Sequence, residues 1–296
     1  MNTISPKNHS FYIFNVFAES SWGGNPLAIV PLLDATVSMD TETMQRIARQ
    51  FNLSETVFIT PPTNSSDAVH AAHLRIFTPE HEMPFAGHPT IGAAAWLHQH
   101  CGLPEQFSLT TPAKTARITH TNGTYRFALS NYTHAPCALS RAQLAQGLGL
   151  TETDLGEHIC WMNAGTWQLV IPLNSRAAVM RAQANTPLLR DASVDAARTN
   201  AYIWFEGNGE VTARYFFDIN GAGIEDPGTG SACANLGAWA HLHGRMSANA
   251  PLNWHITQAE AIGRSNHLYL SVNADGEIQV GGRVMAFAQG ELTVFQ

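Results

Sequence analysis

The sequence predicts an α+β fold built from two related halves, each a set of short strands around one internal helix, and three observations carry that expectation. The first is a repeat. Glu82–His100, EMPFAGHPTIGAAAWLHQH, returns 143 residues later as Glu225–His243, EDPGTGSACANLGAWAHLH. Seven of nineteen positions agree: Glu82 with Glu225, Pro84 with Pro227, Gly87 with Gly230, Ala95 with Ala238, Trp96 with Trp239, His98 with His241 and His100 with His243. Chance supplies about one such match, so the chain is read as an internal duplication. The second is composition. In both copies a glycine, Gly87 or Gly230, precedes a run of about a dozen mostly small and apolar residues that contains no charged side chain, and a helix apolar on every face belongs inside a domain. The third is the order of what precedes each copy: GGNPLAIVPL at 23–32 is echoed by AGTWQLVIPL at 164–173, and Arg75 and Phe77 by Arg214 and Phe216.

Taken in order, residues 11–17 and 27–33 are apolar runs separated by SSWGGNP, the pattern of a hairpin. Asp40 is placed to cap a helix through Phe51, with Met44, Ile47, Ala48 and Phe51 on one face. Thr56–Thr60 is rich in β-branched and aromatic residues and reads as a strand buried on both faces, with Glu55 at its mouth. A loop, PPTNSSD, leads to a strand at 72–78 and then to the first anchor helix, for which Pro89 suits the first position and Gly102 the stop. Strands are expected at 107–111, 115–120 and 124–129, a linker over Asn131–Ser140, and a helix over Ser140–Leu148. Cys160–Leu173 reads as strand, Gly turn and strand, followed by strands at Ala201–Phe205 and Thr212–Phe217. Ser231 is placed to cap the second anchor helix, Gly244 to end it, and the remainder is short alternating strands that could complete either half. The expected domains are 1–130 with 284–296, and 131–283.

At 296 residues, 45% apolar and 13% charged, the chain has enough material for two globular cores. A net charge of -7 without a basic run argues against nucleic acid or an anionic membrane as partner and leaves a small molecule as the expected ligand. Cys101, Cys137, Cys160 and Cys233 are too scattered for a disulfide framework or a thiolate metal site. The first ten residues lack the apolar core of a signal peptide and no run reaches membrane-spanning length, so a cytoplasmic protein is expected.

Each anchor delivers a helix N-terminus, whose unpaired N–H groups and dipole favour an anion; the expected ligand is a small carboxylate or phosphate. Glu55, a carboxylate at the edge of an apolar strand and poorly solvated, suits general-base work, against the alternative of an ordinary strand-end glutamate. His88 and Asp226 flank the equivalent slots and can donate or accept at such a ligand, although either alone would serve as a turn residue. The pairs His98 with His100 and His241 with His243 stand two apart on a helix and cannot chelate together, so packing is expected and no metal. Gly221 and Gly223 are not followed by a third glycine, so no dinucleotide fingerprint is present, and there is neither a P-loop nor a GxSxG elbow. No cofactor is expected.

GNPLAIV at 24–30, NLSETVF at 52–58, FAGHPT at 85–90, EDPGTGSA at 225–232 and GEL at 290–292 together resemble the PhzF-like phenazine-biosynthesis family, in family order and over nearly the whole chain. The resemblance implies a diaminopimelate epimerase-like fold, shared with proline racemase: two similar domains, each a mostly antiparallel sheet or barrel wrapped around a central helix, with the active site in the cleft between. It implies that Glu55 is the catalytic glutamate that takes a proton from one carbon of a small cyclic acid and returns it at another. By the same resemblance His88 and Asp226 assist, and Gly87, Gly230 and Ser231 hold the substrate. The family leans to homodimers. In the cysteine-dependent epimerases the two thiols align with Ala86 and Asp226 of this chain, which favours one carboxylate over two thiols. The chain departs from the family at Gly228, where Ala is usual, and at Asn15, where Asp is common. The expected activity is a cofactor-independent isomerase acting on a small carboxylate-bearing substrate. The alternatives are a catalytically silent anion-binding protein, an epimerase or racemase of a small acid, and a hydrolase or lyase using His88 and Asp226.

Overall fold

The computed structural model describes residues 7–34, 36, 38–62, 70–191, 194, 199–219, 221–246 and 250–294; most of the loop read at 61–67 lies outside them. The elements run β1 (Lys7–Val16), β2 (Asn25–Pro31), α1 (Thr41–Phe51), β3 (Glu55–Thr60), β4 (His70–Phe77), β5 (Glu82–Met83), α2 (Gly87–Cys101), β6 (Gln106–Thr110), β7 (Thr115–Thr121) and β8 (Thr124–Leu129). They continue as β9 (Thr133–Pro136), α3 (Arg141–Leu148), β10 (Cys160–Asn163), β11 (Trp167–Pro172), α4 (Arg176–Arg181), β12 (Asn200–Gly207), β13 (Glu210–Ile219), β14 (Ala222–Asp226), α5 (Gly230–Leu242), β15 (Leu252–Gln258), β16 (Asn266–Val272) and β17 (Ile278–Val294). Two units account for the chain: Met1–Phe127 with Gly282–Gln296, and Ala128–Gly281.

In the first unit β1 and β2 form the antiparallel hairpin, β2 runs parallel to β3, β3 and β4 are antiparallel, and β4 is antiparallel to β5 and parallel to β6. The second unit repeats this sequence of pairings with β10, β11, β12, β13, β14 and β15. The last strand is divided: Ile278–Gly281 pair with β16, and Val284–Val294 pair with β1. What reads in sequence as two separate short strands is therefore one 17-residue strand.

Local chemistry accounts for the helices. Asp40 accepts a 2.7 Å bond from the Thr43 N–H, Met44, Ile47 and Ala48 face the core, and Asn52 closes the helix in the left-handed region. Ser140 and Gln143 form a capping box on α3, worth about 1 kcal/mol. In α2 every residue from Gly87 to Leu97 is buried, because the run carries no charged side chain of Asp, Glu, Lys or Arg and its His88 and Thr90 are bonded inside the protein. Gly92 permits close approach to β2, since a Cβ there would lie 2.3 Å from Leu27 Cδ2. The helix packs on β1, β2, β3, β4 and β7. In the second unit α5 packs on β10, β11 and β16 and is buried over almost its whole length.

Two expectations are corrected. The supposed linker Asn131–Ser140 contains β9, which pairs with β10 residue by residue, Thr133 with Asn163 through Pro136 with Cys160; Pro136 sits at the strand's last position, where a missing donor costs little. Pro89 is the third residue of α2 rather than the first, a place where its absent N–H would in any case lack an intrahelical acceptor.

Candidate active site

Glu55 opens β3. Thr56, Val57, Phe58 and Ile59 are fully buried behind it, and the glutamate side chain is 18% exposed at the strand's mouth. His88, the second residue of α2, is 5% exposed. Its Nδ1 lies 3.0 Å from Glu55 Oε2, and its Nε2 lies 3.2 Å from the backbone carbonyl oxygen of Asn25. A carbonyl can only accept, so the network assigns a hydrogen to Nε2. Nδ1 then faces a carboxyl oxygen at hydrogen-bonding distance. The pair stands beside the first turn of α2, where Ala86 is an extended N-cap with no side-chain bond to that turn and Gly87 is the first helical residue.

The second anchor is furnished differently. Asp226 ends β14, and its Oδ2 accepts the Thr229 hydroxyl hydrogen. Gln258, fully buried at the end of β15, donates to the Asp226 carbonyl and to Thr229 Oγ1, each at 2.9 Å, and accepts from the Thr229 N–H at 3.3 Å. The Asp226 carboxylate is thus a fixed acceptor. Ser231 does not cap α5: Thr229 occupies that position, and Ser231, second residue of the helix after Gly230, accepts a 2.9 Å bond from Gln168 Nε2.

One ion pair braces the approach to each anchor. Arg75 grips Glu82 through Nε and Nη2 at 2.8 and 2.6 Å, and Arg214 grips Glu225, the neighbour of Asp226, at 3.0 and 2.8 Å. Arg214 also donates to the carbonyls of Val179, Met180 and Ala182 at the end of α4. These bidentate pairs hold the return strand at a set angle to the helix that follows.

The strand registers extend the repeat to residues it did not single out. Leu27 corresponds to Gln168 and Gly92 to Asn235, while β3 begins with Glu55 where β12 begins with Asn200. Asn200 is held by Tyr215 and by the Trp167 carbonyl, so the second unit has no acid at this place. Thr229, Gln258, Gln168 and Asn235 escaped sequence reading. The signal for the last two was a polar pair standing where the first copy is apolar.

The two departures from the resembled family have local causes. A Cβ at Gly228 would lie 2.3 Å from Asn266 Oδ1, so an alanine there would have to displace that buried amide. Asn15, 2% exposed, donates 2.9 Å to the Ser21 carbonyl and pins the hairpin turn, a bond an aspartate could not donate. Burial raises the Cys233 thiol far above its usual range, leaving it a packing residue. His98 bonds the Tyr125 hydroxyl and His100 stacks on Trp96; His241 bonds the Tyr132 hydroxyl and His243 stacks on His158. Among the described residues no group of three or more His, Cys, Asp or Glu side chains is placed to hold a metal. An open recess of about 440 Å³ lined by Gln183, Asn185, Thr186, Gly221 and Gly223 includes none of the candidate residues. No helix among the described residues is long and apolar enough to cross a membrane.

Comparison with known proteins gives a consistent picture. The family model for phenazine biosynthesis-like protein matches residues 14–290. The chain is 44% identical over 287 residues to an uncharacterized isomerase of Pasteurella multocida (strain Pm70), covering 97% of this chain and 94% of that protein. It is 29% identical over 294 residues to the trans-2,3-dihydro-3-hydroxyanthranilate isomerase of Pseudomonas fluorescens, covering 97% and 100%. The crystal structure of the Bacillus anthracis phenazine biosynthesis protein of the PhzF family superposes with a TM-score of 0.83 at 22% identity, covering 97% of this chain and 100% of that one, and so shares its fold.

Proposed function

The chain belongs to the phenazine biosynthesis-like (PhzF) family and is an isomerase, and from that premise we propose that Glu55 moves a proton within a small carboxylate-bearing substrate without a cofactor. The observation that carries the reading is the 3.0 Å approach of His88 Nδ1 to Glu55 Oε2. With a hydrogen on His88 Nδ1 directed at it, Glu55 is a carboxylate able to take a proton from carbon. The imidazolium stabilises the anionic form and hands its Nε2 hydrogen to a fixed carbonyl, so it cannot swing away. Once protonated, Glu55 exchanges that proton with solvent and returns one at another carbon of the substrate, and no net proton or electron is gained or lost. Asp226, fixed by Thr229 and Gln258, is read as the second polar helper, and the α2 and α5 termini, through Gly87, Gly230 and Ser231, as the donors that hold carboxylate.

The substrate to try first is trans-2,3-dihydro-3-hydroxyanthranilate, on which the Pseudomonas fluorescens relative acts by its name. Turnover in deuterium oxide, followed by NMR, should place deuterium at the carbon that receives the proton. Glu55→Gln should lower turnover about 10³-fold while leaving binding intact. Undiminished turnover by Glu55→Gln removes Glu55 from the mechanism.

A further inference from the structure

We propose that Gln168 and Asn235 form a positioning pair that turns the Ser231 hydroxyl into a donor for the substrate carboxylate, an inference that rests on the carboxylate-holding role given to Ser231 above. The assignment follows from hydrogen bonds alone. The Ala164 N–H donates to Asn235 Oδ1 at 2.7 Å, which fixes which end of the amide is oxygen. Asn235 Nδ2 therefore donates, to the Thr166 carbonyl at 3.0 Å and to Gln168 Oε1 at 2.7 Å. With its oxygen so occupied, Gln168 presents Nε2 to Ser231 Oγ at 2.9 Å. Ser231 must accept that bond, and its own hydrogen is then directed to something other than Gln168.

The repeat shows that folding does not require this arrangement. At the same two places the first unit carries Leu27 and Gly92, packed in direct apolar contact, so an apolar solution exists for this backbone. The second unit instead buries two amides, each 1% exposed, which costs free energy unless every bond is made. The chain of bonds ends on Ser231, the residue that matches His88, and among the described residues on no other side chain outside the pair. A polar pair replacing an apolar one, aimed at the residue that occupies the helper's slot, is a device for setting one hydroxyl.

The test is calorimetric titration of trans-2,3-dihydro-3-hydroxyanthranilate into the full chain carrying Glu55→Gln, so that the probe is not consumed. Ser231→Ala should weaken binding about tenfold. Gln168→Glu keeps the shape but makes the facing atom an acceptor, so the serine hydrogen turns inward; binding should weaken at least as much at pH 8 and recover as the introduced carboxyl is protonated at lower pH. In the active chain, the double variant Gln168→Leu/Asn235→Gly, which copies the pair of the first unit, should raise KM about tenfold and leave kcat within about threefold. Without any ligand, Ser231→Ala should shift the Gln168 side-chain amide resonances. Unchanged resonances, or wild-type affinity of Gln168→Glu at pH 8 beside a weakened Ser231→Ala, overturn the positioning role and leave the reading of Ser231 standing. Wild-type affinity of Ser231→Ala overturns that reading itself.

Discussion

The two anchor helices start from one backbone plan and end with opposite chemistry. At the second residue of α2 stands His88, bonded to the acid that opens β3; at the second residue of α5 stands Ser231, bonded to a neutral amide, and the strand that matches β3 opens with Asn200. In the proposed reaction the first unit exchanges the proton. The second is proposed to act through hydrogen bonds, by way of Ser231 and the Asp226–Thr229–Gln258 turn. Duplication preserved strand pairing, the Arg–Glu brace and the buried helix, because those determine whether the unit folds. It left free the few positions that face the start of the helix, where a change of side chain alters chemistry without touching the core.

The sharpest way to break this comparison is at the strand mouths. Asn200→Ala should change turnover by less than about threefold, against the thousandfold loss expected of Glu55→Gln, because only the latter handles a proton. Equal losses in steady-state assays would erase the distinction between the units.

The braces should separate next. Arg214→Ala strands a carboxylate in a pair only 10% exposed on either side and breaks three carbonyl contacts, so it should cost about 3–5 kcal/mol in urea unfolding. The Arg75–Glu82 pair is 23% and 27% exposed and screened by water, and Arg75→Ala should cost roughly half as much or less.

A smaller contrast lies at the glycines. Gly228→Ala should cost about 1–3 kcal/mol, because the new methyl meets the buried Asn266 amide, and a double-mutant cycle with Asn266→Ala should recover most of it. Gly92→Ala meets the tip of Leu27, which can turn aside at lower cost, so it should fall nearer the bottom of that range.

The smallest effect concerns pH. The Thr151 N–H, then Arg181 and the Thr151 hydroxyl, hold the Asp154 carboxyl at about 2, below its usual range. A depressed value stabilises the fold above the unfolded-state pKa and is lost as pH falls, so the contribution fades between about pH 4 and pH 2. Asp154→Asn should therefore be less stable than the parent at pH 6, and the two should converge near pH 2 in a thermal melt.

Much of this was legible in the chain. Pattern placed α1 with its cap, the hairpin, the buried strand behind Glu55 and both anchor helices, since each depends on neighbours a few residues away. The failures share a cause. Asn131–Ser140 has little periodicity, and β9 exists because β10 offers it a ladder of hydrogen bonds; Ser231 looked like a cap because its real partner, Gln168, is 63 residues distant in sequence. Likewise β17 reads as two pieces until its two pairing partners, β16 and β1, are known.

By itself the sequence determined that the chain is a duplication, that each copy carries one helix too apolar to face water, and that a glutamate waits at the mouth of a buried strand. Those are properties of composition and short-range period, which hydrophobic burial enforces in any compact state. Only the tertiary structure decided which nitrogen of His88 faces Glu55, that a side chain at Gly228 would press on Asn266, and that Gln168 donates to Ser231. Such matters depend on directional bonds of about 3 Å between residues tens to hundreds of positions apart, and a hydrogen bond carries no trace in the local pattern of either partner.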